Sequence, residues 1–434
     1  MPNALPPGPR TALAQLPYMQ DPFPYMLKLA AEFSDPVTCP ILGGPPMVLT
    51  WSPEGLRALF TADPATFSPG SSEALAIIVG RGSLFLKSGE EHKRARKLLL
   101  PPFHGERMRA YGALMRETSQ RWLERAPVGE AAPMLPTAQG ITLDIIIEAI
   151  FGERDPERIT ALHRDILATV AAFNPIIAMF PAAQREFGGF GPWAKFKRRS
   201  EALNARMLAL MEEKRQTPGE DILSLLVSAR YDDGEPLPDQ EVLEQLLTFV
   251  IAGHETTATS LSWAFYELLR APEALERLSA EITGVDTPEA LTKLPFLDAV
   301  ASETLRMHPP VPVVLRKLNR SLELGGYTLP EGTSVGAAVY TAHCREESFP
   351  EPMRFRPERF LERHFSPFEF LPFGGGARRC LGAAFASTEL RIALGTLLQG
   401  GQWQLAEPKP VTNAFRIGTY GPKTGVRVKL LERR

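Results

Sequence analysis

The longest helical pattern in the chain covers residues 240–270, between Asp239 and Pro272. Apolar side chains fall on every side of this predicted helix rather than along one stripe, which is typical of a buried helix. The helix is also far longer than the mean globular helix of ~11–12 residues. Asp239 is the predicted N-cap, and Pro272 ends the helix because proline cannot continue the hydrogen-bond ladder. We therefore expect one long helix inside the protein.

Alternating apolar and polar positions predict two β regions and a terminal strand. Residues 37–51 alternate around Gly43-Gly44-Pro45-Pro46, which predicts a hairpin with its turn at those four residues. Ser52 and Pro53 then form the predicted N-cap and first turn of a helix. The second β region and the terminal strand comprise Leu322–Leu324, Tyr327–Leu329, 335–339 and 425–430.

The segment between the two β regions is mostly helical in pattern from residue 89 to residue 270. No internal repeat and no linker of biased composition divides the chain. The pattern predicts a mainly α protein with a smaller β lobe, folded as one domain over residues 1–434. Residues 1–20 form a proline-rich N-terminal segment that is predicted to be extended, without a membrane anchor. Predicted breaks in the helical segment are Pro175, Pro181, Gly188-Gly189 and Asp232-Asp233-Gly234.

Composition narrows the class of protein. The 434 residues are 44% hydrophobic, enough for a large core, and the net charge of −2 does not favour nucleic acid as a partner. Three cysteines and the lack of a basic-then-apolar leader indicate a reduced, cytoplasmic protein without disulfides. Uninterrupted apolar runs are far shorter than the ~18 residues of a membrane span, so we expect no integral membrane association.

A glycine-rich loop carries the most specific chemistry. Residues 373–382 read FGGGARRCLG, and the following residues 383–398 are predicted to be helical. Cys380 would therefore lie where free backbone N–H groups and the helix dipole favour a thiolate over a thiol. Glycines let a flat ligand approach the backbone, and a thiolate in that setting suits haem iron.

The long helix carries a polar segment in its middle, Ala252-Gly253-His254-Glu255-Thr256-Thr257. Ala252 and Gly253 are small enough for a planar group to approach the backbone. A hydroxyl such as that of Thr256 can bond the carbonyl one turn back and open the helix slightly. Taken alone, the segment is more typical of a hydrogen-bonded polar patch inside a core helix, and Cys380 in the same chain favours the functional interpretation.

The spacing F-x-x-G-x-R-x-C-x-G, completed by Phe373, Gly376, Arg378, Cys380 and Gly382, resembles the haem-binding signature of the cytochrome P-450 family. The resemblance implies the P-450 fold over the whole chain, with haem b between the long helix and the cysteine-loop helix. It implies that Cys380 is the axial iron ligand and that Phe373 packs beside the thiolate. Ala252 and Gly253 would lie against the haem.

Further site residues follow from this resemblance. Thr256 would hydrogen-bond oxygen at the haem and Glu255 would relay protons to it, while His254 is expected to pack rather than bind metal, and Thr257 to be structural. Glu303, Arg306 and Arg359 match the family's E-x-x-R and P-E-R-F pattern, which locks the core behind the haem. His92, which stands where many relatives have Trp, would bind the haem propionates together with Arg96, Arg316 and Arg378.

The same resemblance implies a hydrophobic substrate pocket and a surface for electron delivery. We expect a hydrophobic small molecule such as a fatty acid, terpenoid or polyketide. A basic patch of Lys93, Arg94, Lys97 and Arg379 would receive a ferredoxin or flavodoxin. The predicted pocket residues are Ile77, Ile78, Val79, Phe173, Ile177, Phe249, Ala252, Val313, Val314 and Phe415.

The leading functional hypothesis is a monomeric haem-thiolate monooxygenase that uses dioxygen and hydroxylates or epoxidises its substrate. The segment after Cys380 is accounted for by one helix and β hairpins, so we expect NAD(P)H electrons to arrive through a separate ferredoxin or flavodoxin with its reductase. A peroxide-driven peroxygenase and a non-catalytic haem sensor or carrier are the alternatives. The pair Glu255 and Thr256 favours the monooxygenase.

Overall fold

The structure is a computed structural model that describes residues 5–11, 17–18, 21–41, 44–69, 73–103, 105, 107–173, 177, 183–186, 188–407, 409–416 and 418–434. Contacts divide the chain into two compact units. Unit 1 comprises Met1–Gly70, Glu106–Thr142 and Glu255–Arg434, and unit 2 comprises Ser71–Gly105 and Leu143–His254. The prediction of one domain over the whole chain stays a prediction.

Helices are the most abundant regular structure in the described residues of both units, as the sequence predicts. Unit 1 contains α1 (Pro22–Glu32), α2 (Pro53–Thr61), α5 (Arg107–Arg125), α11 (Pro272–Ile282), α12 (Pro288–Leu291), α13 (Pro295–Met307), α14 (Val339–His343), α15 (Arg359–Glu362) and α16 (Ala383–Gln399). Unit 2 contains α3 (Glu73–Val79), α4 (Gly89–Leu99), α7 (Pro156–Ala172), α8 (Gly191–Gln216) and α9 (Ile222–Ser228). Two helices, α6 (Met134–Phe151) and α10 (Asp239–Arg270), continue from one unit into the other.

All the described strands belong to unit 1. Its largest sheet has the order β1 (Val37–Ile41), β2 (Gly44–Thr50), β8 (Ser334–Ala338), β5 (Val313–Leu318) and β3 (Phe67–Pro69). A second sheet has the order β4 (Ala131–Pro133), β12 (Arg427–Arg433) and β9 (Gly401–Leu405). Two hairpins complete the set, β6–β7 (Leu322–Leu324 with Tyr327–Leu329) and β10–β11 (Asn413–Arg416 with Thr419–Pro422).

The first predicted hairpin forms, but its turn is not where the sequence suggests. Ile41 pairs with Gly44, so Gly44, Pro45 and Pro46 belong to strand β2, while Gly43 lies outside the described residues. The prolines are tolerated because β8 pairs with β2 only from Met47 onward, and the missing N–H groups are not needed before that point. Ser52 caps α2 as predicted, with its Oγ accepting a hydrogen bond from the Gly55 N–H at 3.1 Å.

The long helix α10 spans 32 residues, as the hydrophobic pattern predicts. Its first residue is Asp239 itself, because the Pro238 carbonyl already accepts from the Val242 N–H at 3.0 Å. The Asp239 carboxylate pairs with the Arg215 guanidinium. The prediction of Asp239 as N-cap is therefore wrong by one position.

Two other elements differ from the sequence prediction. The terminal strand begins at Arg427 rather than at residue 425, because Gly425 and Val426 have φ angles of 77° and 58°, which no β-strand accommodates. Helix α6 has an 18-residue window of mean hydropathy 1.4, long and apolar enough to cross a membrane, although 72% of it is buried in the protein. Helix α6 contains no long unbroken apolar run, because residues such as Asp144 and Glu148 interrupt it, so the sequence did not predict it as a span.

Candidate active site

The cysteine loop precedes helix α16 in unit 1 and depends on its glycines. Gly374 and Gly376 both have a φ of 65°, a conformation that side chains rarely adopt. A Cβ on Gly376 would lie 2.5 Å from the Phe60 carbonyl oxygen. The Cys380 N–H donates to the Phe373 carbonyl at 2.9 Å, which closes the loop and places Cys380 three residues before α16.

Cys380 differs from the other two cysteines in its exposure. It is exposed, whereas Cys39 is buried and Cys344 is half-buried. Burial raises the pKa of Cys39 to about 12 and that of Cys344 to about 11, so both remain thiols at neutral pH. Only Cys380 combines exposure with the glycine-rich backbone. A Cβ added at the nearby Gly382 would meet nothing within 4 Å, so the loop is open on that side.

Two arginines of unit 1 lie close to each other at the cysteine loop. Arg378 belongs to the loop, and Arg316 lies near enough for the two charges to interact. Arg316 stands on β5, where its guanidinium donates to the Leu315 carbonyl at 2.8 Å. Burial, and then the charge of Arg378, lower the pKa of Arg316 to about 10. Among the described residues, no carboxylate pairs with Arg316. Two cations that lie close together, Arg316 and Arg378, favour a ligand with two negative charges.

The arrangement fits a haem. The exposed residue Cys380 and the open side at Gly382 suit a flat ligand bound through iron. Arg316 and Arg378 suit its two propionates. Val314 of β5, a predicted pocket residue, also approaches the loop, with its Cγ2 at 3.9 Å from the Cβ position of Gly374.

The polar segment of α10 lies in a continuous helix without a break at Thr256. The Glu255 carboxylate is half-buried and accepts a hydrogen bond from Gln139 Nε2 at 2.7 Å. The Thr256 carbonyl accepts from Ser260 Oγ at 2.9 Å. Gln139 is a functional candidate that sequence reasoning missed, because it lies more than a hundred residues away on α6.

A second acid near this segment was also missed. Glu389 lies on α16 and is 1% exposed. Burial raises the pKa of Glu389 well above its usual value, and the Thr257 side chain offsets this only in part. Burial therefore favours the neutral form of Glu389 over the charged form. Its signal in the sequence was an acid within an otherwise apolar helix face. The structural role of Thr257 stays a prediction.

The remaining haem-seat candidates lie in unit 2. His92 is buried and Arg96 is half-buried on one face of α4, as their spacing of four residues predicts. A Cβ on Gly253 would lie 3.1 Å from Ile146 Cδ1, so this glycine allows close helix packing. His254 is buried, and its Nδ1 lies 2.9 Å from the Val250 carbonyl oxygen, in agreement with a packing role.

Three of the four basic residues of the predicted partner patch lie on the exposed face of α4 and are paired with acids. Arg94 contacts Asp233 at 2.5 Å, and Lys97 contacts Asp232 at 2.9 Å. Lys93 lies 3.4 Å from Glu90. These acids offset the positive charge that the sequence suggested. Arg379 is exposed in the cysteine loop of unit 1.

The three residues of the predicted lock come together in unit 1. Glu303 binds Arg306 through two hydrogen bonds of 2.7 and 2.9 Å and Arg359 through one of 3.1 Å. All three side chains are almost completely buried. The Arg356 N–H adds a further hydrogen bond of 2.9 Å to Glu303. The group is a buried charge cluster in which two guanidiniums share one carboxylate, and it is costly to break.

His343 joins this lock to the cysteine loop, and no motif in the sequence marks it. Its Nδ1 lies 3.2 Å from the Arg306 carbonyl oxygen, while Arg306 donates to the His343 carbonyl at 2.9 Å. Its Nε2 accepts from the Leu371 N–H at 3.0 Å, two residues before Phe373. Burial and the charge of Arg306 lower the pKa of His343 to about 3, so the ring is neutral.

The predicted pocket residues have different environments. Ile177 is buried in a small cluster with Ala172 and Phe196, against which Phe173 packs. Phe249 is 8% exposed and packs edge-on against Phe103 at 5.1 Å. Phe415 is 56% exposed on β10. The remaining members are half-buried except for Val79, which is buried: Ile77, Ile78, Ala252, Val313 and Val314.

Comparison with known proteins identifies the family. The family model "Cytochrome P-450" matches residues 6–425. Putative cytochrome P-450 137 of Mycobacterium tuberculosis is 36% identical over 411 residues, which cover 93% of this chain and 84% of that protein. Putative cytochrome P-450 135B1 of Mycobacterium bovis is 32% identical over 404 residues, which cover 91% and 84%.

Solved structures agree with this assignment. Retinoic acid-bound cyanobacterial CYP120A1 has a TM-score of 0.85 and 26% identity, over 99% of both chains. The cytochrome P450DA heme domain has a TM-score of 0.86, over 99% of this chain and 98% of that one. The fold class predicted from the sequence is confirmed. The chain belongs to the cytochrome P-450 family of haem-thiolate enzymes, which incorporate oxygen from dioxygen into their substrates.

Proposed function

We propose that this monooxygenase hydroxylates or epoxidises a hydrophobic small molecule, such as a fatty acid, terpenoid or polyketide. Its electrons come from NAD(P)H through a separate ferredoxin or flavodoxin and a reductase. The observation that carries the proposal is the cysteine loop, where the exposed Cys380 adjoins the open side at Gly382. The structure of CYP120A1 with retinoic acid supports a hydrophobic substrate, since that relative is 26% identical.

Cys380 is the proposed iron ligand, and cationic side chains hold the propionates. We assign this role to Arg316 and Arg378, and also to His92 and Arg96. When bound, the haem supplies the redox chemistry that activates dioxygen, and thiolate ligation favours O–O cleavage. Phe373 limits the access of water to the sulfur, while its carbonyl holds the Cys380 N–H.

Glu255 and Thr256 are the proposed proton-delivery pair. Gln139 fixes one oxygen of the Glu255 carboxylate, which orients the acid for proton transfer. Because Glu255 is half-buried, it can exchange that proton with solvent. The neighbouring Thr256 hydroxyl then holds the proton near the oxidation site.

The test is reconstitution with a ferredoxin, its reductase and NAD(P)H, with product and electron consumption measured together. Thr256→Ala should consume NAD(P)H but convert about tenfold less of it into product, since proton delivery typically contributes ~10²–10⁴-fold to a step. Thr257→Ala is the matched control at the next position. Unchanged coupling in Thr256→Ala would contradict the assigned role.

The same assay separates the alternatives. A peroxygenase would form product with hydrogen peroxide and without the reductase, and a carrier would form none under either condition. Product that depends on NAD(P)H and redox proteins supports the proposal, and product that depends only on peroxide overturns it.

A further inference from the structure

A short loop of unit 2, residues 80–87, is held against helix α10 by polar side chains that none of the roles above uses. These side chains occur at intervals of three, four and seven residues, and so lie on one face of the helix: Glu241, Glu244, Gln245 and Thr248. Gln245 is completely buried, and Glu244 and Thr248 are 9% and 3% exposed. We call these four residues the polar stripe.

The amide of Gln245 binds the loop backbone at two points. Its Nε2 donates to the Gly82 carbonyl at 2.7 Å, and its Oε1 accepts from the Leu84 N–H at 3.1 Å. Glu244 adds a third point, because its carboxylate accepts from the Gly82 N–H. A Cβ on Gly80 or Gly82 would collide with the Glu244 side chain, so this close approach requires both glycines.

Two buried hydroxyls extend the contact between loop and helix. Ser83 Oγ and Thr248 Oγ1 lie 2.7 Å apart, and the Thr248 hydroxyl donates to the Glu244 carbonyl at 2.6 Å. Because the Thr248 proton is used in that bond, Ser83 is the donor of the pair. The Ser83 oxygen in turn accepts from the Phe85 N–H at 3.2 Å. The loop and the helix thus share one continuous chain of hydrogen bonds.

Lys87 fixes the far end of the loop with its charge. Its side chain is 6% exposed, and its Nζ lies 2.8 Å from Glu91 of α4 and 3.2 Å from Glu241 of the polar stripe. A buried charge needs such partners. Amide, hydroxyl and ionic contacts together therefore hold one loop to one helix face, and a buried polar network of this kind favours a single conformation.

The loop joins two helices that carry proposed site residues. It leads into α4, which carries His92, and it follows α3, whose last residue, Val79, is completely buried. Ile77 of α3 packs against the buried cluster that contains Ile177, and Phe173 packs against the same cluster. Three of the predicted pocket residues therefore come together within unit 2, and the loop determines where α3 meets them.

We infer that Gln245 is a positioning residue for the substrate. With the rest of the polar stripe it fixes the loop, and through the loop it determines where α3 presents Ile77 and Val79. The stripe acts on the loop backbone, whereas the apolar side chains meet the substrate. A wall held in one position by locked side chains binds ligands more selectively than a loose one. The inference rests on the proposed function, since it takes Ile77 as part of a hydrophobic pocket.

Hydrogen exchange of the loop amides in the holoenzyme tests the first step of the inference. Gln245→Met keeps the length of the side chain but removes the amide that binds the loop. The Gly82 and Phe85 N–H groups keep their own acceptors in this variant, so their exchange reports on the whole loop. Both should exchange about tenfold or more faster than in wild type. Faster exchange at Leu84 alone would overturn the inference.

Two probes that ligate haem iron test the second step, by titration of the Soret band. Imidazole has no apolar tail, whereas 1-dodecylimidazole also needs an apolar pocket. Wild type should bind the long probe more tightly, and Gln245→Met should reduce the ratio of the two dissociation constants about fivefold or more. A wild type without this preference would contradict the hydrophobic pocket of the proposed function. A preference that Gln245→Met leaves unchanged would overturn the inference alone.

A matched glutamine separates positioning from a general loss of stability. Gln399 of α16 also binds the backbone at two points, since its Nε2 donates to the Ile282 and Val285 carbonyls at 2.6 and 2.9 Å. Gln399→Met should lower the free energy of unfolding by a similar amount but should change neither the loop exchange nor the probe ratio. If it lowers the probe ratio as much as Gln245→Met does, the inference fails.

A milder pair of variants decides the question if Gln245→Met does not bind haem. Ser83→Ala removes one hydroxyl from the network and should change the Gly82 exchange rate and the probe ratio about threefold each. Its match is Ser262→Ala, because the Ser262 hydroxyl donates within α10, to the Ala258 carbonyl at 2.8 Å. Equal exchange rates and equal probe ratios in the two serine variants would overturn the inference.

Discussion

His343 shows how a single buried side chain couples two parts of unit 1. Its neutral ring accepts the Leu371 N–H on one side and contacts the Arg306 carbonyl on the other. Leu371 leads directly into the cysteine loop, and Arg306 belongs to the buried charge cluster. A charged imidazolium could not accept the Leu371 N–H and would face the Arg306 guanidinium. The geometry therefore requires the neutral form.

This requirement gives a pH prediction for stability. The pKa of His343 is about 3 in the folded protein, below its usual value of ~6.5 in an unfolded chain. The unfolded state therefore binds more protons below about pH 6.5, and the free energy of unfolding should fall as pH decreases from there toward 3. The limiting slope is about 1.4 kcal/mol per pH unit. Above pH 6.5 the contribution is fully present.

Denaturant unfolding at several pH values between 7 and 4 measures this slope. His343→Gln should be less stable than wild type at neutral pH but should lose less stability on acidification. His364→Gln, at an exposed histidine, is the control and should follow wild type. Parallel pH profiles for wild type and His343→Gln would contradict the assignment.

At the scale of elements, the charge cluster of Glu303, Arg306 and Arg359 joins α13 to α15. Replacing Glu303 with Gln leaves two buried guanidiniums without a counter-charge. Removing one partner of a buried ion pair typically costs about 3–5 kcal/mol, so Glu303→Gln should lower the free energy of unfolding by that amount. Denaturant titration at neutral pH measures the loss.

The control uses an exposed pair in the same part of the chain. Arg354 and Glu351 lie 3.4 Å apart with side chains 66% and 59% exposed. Glu351→Gln should change stability by no more than about 0.5 kcal/mol, because surface pairs contribute little. Similar losses of stability in the two variants would show that the buried cluster stabilises the protein no more than an exposed ion pair does.

The elements also show what can be predicted from local sequence. The extent of α10 follows from its apolar pattern and from Pro272, and the Ser52 cap of α2 follows from residue type. The predicted bounds of an element were wrong where a backbone angle, or a strand from elsewhere in the chain, determines them. Val426 delays strand β12 through its φ of 58°, and β8 determines which residues of β2 can be prolines.

The candidate site likewise contains some residues that the local sequence predicts and others that it does not. Cys380 and the E-x-x-R pair are recognisable because their spacing lies within one short segment. Gln139, His343 and Glu389 were missed because each acts through a contact with a residue far away in the chain. Sequence periodicity contains no information on such contacts.

At the scale of the whole molecule, surface charge determines how an electron-transfer partner would dock. The acids paired with Arg94 and Lys97 offset their charge, whereas Arg379 is exposed beside Cys380 in the chain. We therefore expect Arg379→Glu to slow reduction by an acidic ferredoxin more than Arg94→Glu does. The effect should be about threefold or more at low ionic strength and should disappear at high salt.

Stopped-flow reduction of the haem at two salt concentrations measures this difference. Lys423→Glu makes the same charge change at another exposed position and is the control. Equal rates for Arg379→Glu and Lys423→Glu would remove Arg379 from the docking surface.

The central claim is that Cys380 holds the haem iron as a thiolate, and the Soret band of the reduced CO complex tests it most directly. The wild-type protein should show the band at the position characteristic of thiolate ligation, and so should Cys39→Ser and Cys344→Ser. Cys380→Ser should lose that band completely. A thiolate-type band that survives in Cys380→Ser would contradict the account.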